Sequence, residues 1–420
     1  MVSWSLSNRR STNGAMNKQT ALRIIRAEEN ALLIWNAEQA RTAFFSGKEL
    51  SLLEMWARGG NNPFIERVME LGIVGNGDKH AVVEAIALSR SRVAPPFSFC
   101  APESLHIELT EACPLNCSQC YKGQARHQEL DVALLSSVIQ DAAQMQVFQI
   151  ALGGGEPLLY SGLHQLIEEI STCAMVATIT TSGYSLDRQL LDSLVSCGLR
   201  HVQVSLNGSS KEIDSRSRGG YEHALFALAL LKDSQLSFGI NWVARRDNLD
   251  DFPKLLQLAE SFRVGNVNIL RYKHSSGEAY EENYLLPKDE LRLAKMIRSA
   301  RSARKLRIRL DSAYASLLCY LNNQTSYMSG CGAGRRFLAL DSQGYYRPCS
   351  HVNIREKANS LFETWYQSGH LNRFRTIGEN VNAPCAGCDF LHGCYGCRAL
   401  VLGQCACFFE GHAGCPFRTP

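Results

Sequence analysis

The sequence of 420 residues lacks any run that approaches the roughly 20 consecutive apolar residues of a membrane-spanning helix. The segment Met1 to Gln19 is polar and rich in Ser and Asn, so it also lacks the apolar centre of a secretion signal. We therefore expect a cytoplasmic protein with no membrane partner, and we expect residues 1–19 to form a disordered tail.

The sequence also lacks a strong excess of charge of either sign. Its 44 Lys and Arg residues and 40 Asp and Glu residues leave a formal net charge of +4. This bias is too weak to indicate a nucleic-acid partner. With 45% hydrophobic and 20% charged residues, the composition is that of a globular chain with two or three domains.

Cysteine is abundant, with 16 residues, and in a reducing cytosol this number indicates metal binding rather than disulfides. Three cysteines lie in one short loop, and nine others lie in the last 90 residues. The remaining four are isolated in the sequence, and we interpret them as inert buried thiols: Cys100, Cys173, Cys197 and Cys319.

Residues 20–95 predict a small α+β, winged-helix-like domain. Three short strand-like runs are separated by polar turns: Ala21 to Arg26, Ala31 to Asn36 and Arg41 to Phe45. Two helical runs follow at Gly47 to Ala57 and Phe64 to Leu71, and a further run, Ala81 to Ser91, leads towards the next domain. We place the end of this domain at Pro95-Pro96.

Residues 96–312 alternate strand-like and helix-like runs, which is typical of parallel β/α units and predicts an open, partial (β/α)6 barrel. The strand candidates are Leu105 to Thr110, Val147 to Leu152, Val176 to Thr181, His201 to Leu206, Phe238 to Ala244 and Val267 to Arg271. In parallel barrels the chemistry collects on loops at the carboxyl ends of strands. The three-cysteine loop and the loop Gly153 to Pro157 follow the first two candidates, so both lie where an active site is expected.

Residues 313–420 form a third region, which is rich in Gly, Cys and turn residues from Cys331 onwards. Such a segment has little apolar surface with which to fold, and bound metal would supply the missing order. We therefore predict a Cys-rich metal-binding domain.

The loop cysteines Cys113, Cys117 and Cys120 have the spacing Cys-x3-Cys-x2-Cys, which lets one loop bind three corners of a four-iron cluster. Three thiolates leave one iron without a protein ligand. That iron can chelate the amino and carboxylate groups of a methionine moiety. A zinc site or an ordinary ferredoxin cluster is the alternative, but both prefer four protein ligands, and the sequence offers no fourth cysteine nearby.

This loop resembles the signature of the radical S-adenosylmethionine (SAM) superfamily, including the aromatic Tyr121 after the third cysteine. Gly154-Gly155-Glu156-Pro157 matches that family's GGEP loop, whose backbone and carboxylate receive the ammonium group of SAM. The resemblance implies that Tyr121, Gly154, Gly155 and Glu156 contribute to the SAM site.

Three further positions carry the same resemblance. Thr181-Ser182-Gly183 is similar to the family's TNG turn, and the segment from Ser205 to Gly208 is similar to its SLDG segment. The resemblance places Thr181 and Ser205 near SAM, although a plain turn at the strand end is the alternative for both. Arg218 corresponds to a carboxylate-binding arginine, with Arg216 and Arg271 as competing candidates.

The C-terminal cysteines resemble the SPASM extension of peptide-modifying radical SAM enzymes. The one departure from its pattern is a residue missing between Cys394 and Cys397. The resemblance implies two auxiliary four-iron clusters, which with the SAM-binding cluster makes three. The first would be held by Cys331, Cys349 and Cys397, and the second by Cys385, Cys388, Cys394 and Cys415. Cys319, Cys405 or Cys407 would complete the first cluster, or its open iron would meet substrate. A zinc ribbon is the alternative.

The N-terminal domain resembles, in shape alone, the PqqD-like element that binds leader peptides of ribosomally made precursor peptides. Such an element binds the leader as an added strand on a sheet edge. The alternative is a structural cap on the barrel. The implied partners are a precursor peptide and an electron donor of flavodoxin or ferredoxin type.

The resemblance therefore implies a peptide maturase in which SAM yields a radical that abstracts hydrogen from a precursor peptide, with a crosslink favoured over epimerisation. Protein or small-molecule modification, as in sulfatase maturation or cofactor synthesis, is a second enzyme hypothesis. A simple electron carrier is a third hypothesis, but it has no use for the GGEP loop. No acid or base can be nominated, although Glu278, Asp341 and His351 lie in suitable regions.

Overall fold

The computed structural model describes residues 23–37, 41–122, 128–273, 282–322, 330–404, 408–411 and 415. The predicted tail 1–19, Glu278, Cys405, Cys407 and the side chain of Cys319 lie outside the described residues. None of the described helices is long and apolar enough to cross a membrane.

The N-terminal unit is an antiparallel three-stranded sheet followed by helices, as the sequence predicts. Its strands β1 (Arg23–Glu28), β2 (Ala31–Asn36) and β3 (Arg41–Ser46) pair in the order β1-β2-β3. All six residues of β2 are buried, because the strand is covered on both faces. One face packs under the helices α1 (Gly47–Ala57), α2 (Pro63–Glu70) and α3 (Lys79–Ser89), and a short 3-10 turn lies at Asn76–Asp78.

The other face of this sheet is bound to the barrel. Trp35 stacks on Phe148 with ring centroids 5.7 Å apart. Arg26, which is 1% exposed, pairs with Glu28 and donates hydrogen bonds to the carbonyl groups of Ala101, Pro102 and Gln146. A buried guanidinium with all these partners fixes the N-terminal unit on the barrel.

Replacing Arg26 with Met is expected to destabilise the chain by about 3–5 kcal/mol, because the Glu28 carboxylate and the bound carbonyl groups stay buried without their donor. Urea unfolding followed by tryptophan fluorescence measures this change. The control is Arg41→Met, since Arg41 is an exposed arginine of the same sheet and its loss should cost at most about 0.5 kcal/mol. Equal effects of the two substitutions would contradict the role assigned to Arg26.

The central sheet has nine strands in the order β10-β9-β8-β7-β6-β5-β4-β11-β12. It contains the six predicted strands: β4 (Ser104–Thr110), β5 (Gln149–Gly154), β6 (Val176–Thr181), β7 (His201–Ser205), β8 (Ser237–Ala244) and β9 (Asn266–Arg271). All six are parallel, and within the described residues the two ends of the sheet do not pair with each other. The prediction of an open α/β barrel is confirmed.

Two further parallel strands were missed by the sequence analysis. β10 (Arg307–Leu310) extends the sheet beyond β9, and β11 (Phe337–Leu340) adds to the other end, beside β4. Each has only four residues, which is too short for alternation to stand out. β11 then pairs with the antiparallel β12 (Tyr346–Arg347), so the Cys-rich region continues the barrel sheet.

The sheet is covered on its outer face by helices, and the strand alternation explains why. Outward residues such as Ile107, Ile150, Ile179 and Val204 belong to one large buried core. Asp131 and Asp187 cap two of the covering helices through their side chains. The helices are α4 (Val132–Gln144), α5 (Leu163–Thr172), α6 (Arg188–Ser196), α7 (Lys211–Ser215), α8 (Tyr221–Lys232), α9 (Phe252–Ser261) and α10 (Pro287–Ala303), with 3-10 turns at Pro157–Leu159, Leu249–Asp251 and Ser312–Tyr314.

The C-terminal region consists of short helices joined by irregular loops. They are α11 (Ala315–Asn322), α12 (Leu361–Gln367), α13 (Gly369–Arg375), α14 (Ile377–Asn380), α15 (Leu391–Cys394) and α16 (Arg398–Gln404). Trp365 is fully buried, and its indole N–H donates to the carbonyl group of Phe99 at 2.9 Å. This contact ties the C-terminal region to the entry of the barrel.

Candidate active site

The loop that carries Cys113, Cys117 and Cys120 directly follows β4, at the carboxyl end of the sheet. The three side chains are partly buried, and the amide of Cys120 donates to the carbonyl group of Cys117 at 3.1 Å. Burial raises the pKa of Cys113 and of Cys117, and the nearby positive charge of Arg218 opposes both shifts. The structure therefore brings the three predicted ligands together beside Arg218.

The GGEP loop lies directly against this cysteine loop. The amide of Gly155 donates to the carbonyl group of Thr110 at 2.7 Å, and that of Glu156 donates to Ala112 at 2.8 Å. A Cβ atom on Gly155 would lie 2.2 Å from the carbonyl oxygen of Ala112. A Cβ atom on Gly154, whose φ is +114°, would lie 2.5 Å from the carbonyl oxygen of Thr110. Glycine at both positions is what lets the two loops touch.

The carboxylate of Glu156 joins the second loop to the third. It is 1% exposed and accepts the hydroxyl of Thr181 at 2.6 Å. Its other oxygen accepts the amide and the hydroxyl of Ser182 at 2.9 and 2.5 Å. With these bonds made, the carboxylate positions the loops, so the backbone of the GGEP loop is the part left for an ammonium group.

Arg218 is the arginine that faces the cysteine loop. Arg216 binds Glu212 and the carbonyl group of Asp247, and Arg271 is buried against Glu290. In the described part of the chain, Nε of Arg218 is buried without a hydrogen-bond partner. Of the three candidate arginines, Arg218 is the one whose charge acts on Cys113 and Cys117.

The inner face of the sheet is polar and partly open. Ser205, the predicted SAM contact at the end of β7, is in register with Asn241, which is in register with Asn268. The amide of Asn268 donates to Asn241 at 2.9 Å. Thr180 is exposed although it lies within a central strand, so the inner face borders open space. The inner face is therefore the candidate substrate site.

Tyr121 links the cysteine loop to the C-terminal region. Its hydroxyl donates to the buried Glu108 at 2.9 Å, and Lys122 pairs with the same carboxylate at 2.6 Å. Burial and the charge of Glu108 raise the pKa of Tyr121 well above its ordinary value. The Tyr121 ring lies 4.4 Å from that of His351.

The cysteines of the first predicted auxiliary cluster lie close together. Burial raises the pKa of Cys331, and the neighbouring Cys397 raises it further. Burial also raises the pKa of Cys349 to about 12, with Lys273 opposing and with Cys331 and Cys397 adding to the shift. The structure thus brings together three thiols that lie far apart in the sequence, from Cys331 to Cys397.

The second predicted set lines one cavity next to the first. Its members are Cys385, Cys388, Cys394 and Cys415, and Cys397 lines the same cavity. The amide of Cys388 donates to the carbonyl group of Cys385 at 3.1 Å, which bends the Cys-x2-Cys segment around the cavity. The two interleaved sets therefore meet at Cys397.

Lys273 and Asp311 are functional candidates that the sequence analysis missed. They form a 2.6 Å ion pair, and electrostatically they influence both His351 and His106. Desolvation, followed by the charge of Lys273, lowers the pKa of His351 to about 3. The sequence signal for them was their position: Lys273 lies two residues beyond β9, and Asp311 directly follows β10. Because the sequence analysis missed β10, it also missed this signal. Asp341 has a local role, since it accepts the amides of Gln343 and Tyr345 in the β11–β12 turn.

Residues 107–259 match the family model described as Radical SAM superfamily. These residues of the barrel are a radical SAM domain. Chemistry in this superfamily is carried by a four-iron cluster and SAM, so the chain is an enzyme.

Curated relatives of this chain include PqqA peptide cyclases. That of Ruegeria pomeroyi is 28% identical over 326 residues, which cover 74% of this chain and 86% of the relative. That of Xanthomonas axonopodis pv. citri is 29% identical over 331 residues, with coverages of 74% and 86%.

Solved structures show the same fold. Streptococcus suis SuiB bound to S-adenosylmethionine has a TM-score of 0.73 and 16% identity, covering 94% of this chain and 100% of SuiB. The structure of SuiB with its precursor peptide SuiA has a TM-score of 0.71 and 15% identity, with coverages of 94% and 98%. anSMEcpe with bound AdoMet and a peptide has a TM-score of 0.59 and 19% identity, and covers 70% of this chain and 89% of its own.

The residues at the carboxyl end of the radical SAM domain fit a four-iron cluster with SAM. Three thiols adjoin a glycine cradle that a Cβ would fill, and the buried Nε of Arg218 lacks a partner among the described residues. In the described part of the chain, no three Cys, His, Asp or Glu side chains meet closely enough to hold a single metal ion. A cluster differs from a single ion because its thiolates bind separate irons.

Proposed function

We propose that this radical SAM enzyme is a peptide maturase that removes hydrogen from a residue of a ribosomally made precursor peptide and closes an intramolecular crosslink. When bound, the cluster held by Cys113, Cys117 and Cys120 supplies an electron that splits SAM into methionine and a 5′-deoxyadenosyl radical. Tyr121, Gly154, Gly155, Ser205 and Arg218 would bind and orient SAM, and the hydrogen bond between Thr181 and Glu156 would hold the loops that form the site.

The observation that carries the proposal is the arrangement of the polar inner face between two cysteine-bearing regions. The SAM residues lie at the ends of β4 to β7, and Cys349 and Cys397 lie near Lys273, two residues beyond the end of β9. A peptide on the inner face would lie between them. The relatives named PqqA peptide cyclase and the SuiB–SuiA complex support a peptide substrate.

The C-terminal cysteines suit a crosslinking reaction. Closing a bond between two substrate atoms removes two hydrogen atoms, and the deoxyadenosyl radical takes only one of them with its electron. The other leaves as a proton and an electron, and the electron needs an acceptor. Two auxiliary four-iron clusters on the two cysteine sets would supply it, whereas epimerisation needs no such acceptor. An external flavodoxin or ferredoxin would be the reductant of the SAM cluster.

The N-terminal sheet offers an edge for the leader peptide. Within the described residues, the backbone of β3 pairs with no strand other than β2, and Arg41 and Thr42 are exposed. An open edge of this kind can bind an extended peptide through main-chain hydrogen bonds. We therefore assign leader binding to β3.

The test is anaerobic incubation of the reconstituted chain with SAM, dithionite and a precursor peptide encoded beside the gene. Mass spectrometry should show deoxyadenosine and a peptide that has lost two hydrogen atoms. Deuterium placed on the attacked carbon should appear in deoxyadenosine. An unchanged peptide mass with one exchanged hydrogen would instead indicate epimerisation, and modification of a folded sulfatase alone would overturn the peptide assignment.

A further inference from the structure

His351 lies between the two cysteine-bearing sites and contacts both. Its Nδ1 is 3.8 Å from Sγ of Cys349, within hydrogen-bonding range for sulfur. Its ring lies 4.4 Å from that of Tyr121, which directly follows Cys120.

Hydrogen bonds hold the backbone turn around His351, and Tyr121 packs against its ring. The amide of Val352 donates to the carbonyl group of Cys349 at 3.0 Å, which closes a tight turn around the histidine. Arg347 holds the same turn by donating twice to the carbonyl group of Val352, at 3.0 and 2.8 Å. Tyr121, on the other face of the ring, is anchored by its hydrogen bond to Glu108. Rotation of the imidazole away from Cys349 would lose its contacts with that sulfur and with the ring of Tyr121.

The direction of the hydrogen bond follows from the chemistry of a bound thiolate. When Cys349 is ligated to iron its sulfur carries no proton, so it can only accept a hydrogen bond. Nδ1 of His351 must then carry the proton and donate it. Nε2 is then left as an acceptor.

We propose that His351 acts through Cys349 by donating a hydrogen bond to its thiolate, which raises the reduction potential of the first auxiliary cluster. The inference rests on the auxiliary clusters of the proposed function. A hydrogen bond to sulfur stabilises negative charge, and the reduced cluster carries one more negative charge than the oxidised one. A raised potential makes this cluster a better acceptor for the electron released when a crosslink closes.

The test is a redox titration followed by electron paramagnetic resonance on the full-length reconstituted chain. Cys113, Cys117 and Cys120 are first replaced with Ala, so that only auxiliary signals remain. His351→Phe keeps a ring against Tyr121 but removes the donor. We expect this substitution to lower the equilibrium constant for reduction of one auxiliary cluster about tenfold. For one electron this corresponds to a shift of about −59 mV in its reduction potential. His351→Asn places an amide N–H near the position of Nδ1 and should restore most of the potential.

The outcomes separate this inference from the proposed function. Unchanged auxiliary potentials in His351→Phe, with full iron content, would overturn the role of His351. A loss of about four irons in that variant would also overturn it, because His351 would then be a ligand. If the parent with the three Ala substitutions already lacks auxiliary signals, the cluster assignment of the proposed function fails instead.

Discussion

Replacing Cys113, Cys117 and Cys120 together with Ala should abolish deoxyadenosine formation and leave the auxiliary clusters in place. The three thiols follow β4 in one loop beside the GGEP loop, whereas five of the C-terminal cysteines line a separate cavity. Anaerobic reconstitution followed by iron and sulfide counting should give about twelve irons in the wild type and about eight in the variant. SAM cleavage is measured on the same samples by chromatography.

The matched control replaces three isolated cysteines, Cys100, Cys173 and Cys197, with Ala. Cys100 is buried, with its pKa raised to about 12 mainly by desolvation, and Cys173 and Cys197 pack against the barrel core. This variant should retain its iron and its SAM cleavage. A wild-type content near four irons would show that the C-terminal cysteines hold something else. Residual deoxyadenosine formation in the Cys113, Cys117 and Cys120 variant would remove the SAM-cluster assignment.

Gly155→Ala is expected to lower SAM cleavage about 100-fold while the auxiliary clusters remain. The new Cβ would lie 2.2 Å from the carbonyl oxygen of Ala112 and 2.9 Å from the carbonyl carbon of Glu111. These are backbone atoms of the cysteine loop, so the strain cannot be relieved by a side-chain rotation. The GGEP loop and the cysteine loop must therefore move apart. A displacement of about 1 Å at a reacting site can lower the rate about 100-fold.

The control for this substitution is Gly369→Ala, because a Cβ at Gly369 meets no atom within 4 Å. Its SAM cleavage and thermal stability should equal those of the wild type. Circular dichroism distinguishes a displaced site from an unfolded chain, since the spectrum of Gly155→Ala should be unchanged. Equilibrium binding of SAM then measures the effect of the displacement on the site. Full SAM cleavage by Gly155→Ala would show that contact between the two loops is unimportant for the site.

Much of the fold could be read from the sequence because long, regular segments carry their own signals. Alternation of apolar and polar residues reveals strands such as Val176–Thr181, whose bounds are the predicted ones. The strands β10 and β11 did not give such a signal. With four residues each, they are defined by pairing with β9 and β4, which depends on the rest of the sheet.

The candidate site shows the same division. The spacing of Cys113, Cys117 and Cys120 is local, so the sequence displays it directly. The role of Lys273 and Asp311 is not local, because their side chains meet only when β9 and β10 pair. Likewise, Arg216, Arg218 and Arg271 are equivalent in the sequence, and only the fold directs one of them to the cysteine loop.

The sequence by itself determined the chemistry of this protein, since cysteine spacing and the GGEP loop are short-range patterns that need no partner segment to be recognised. Tertiary structure alone decided which groups share a site. It placed His351 between Tyr121 and Cys349, and it tied up the carboxylate of Glu156 with Thr181 and Ser182. The physical reason is that such contacts arise from parallel pairing of strands far apart in the chain, and local sequence does not encode the distance between them.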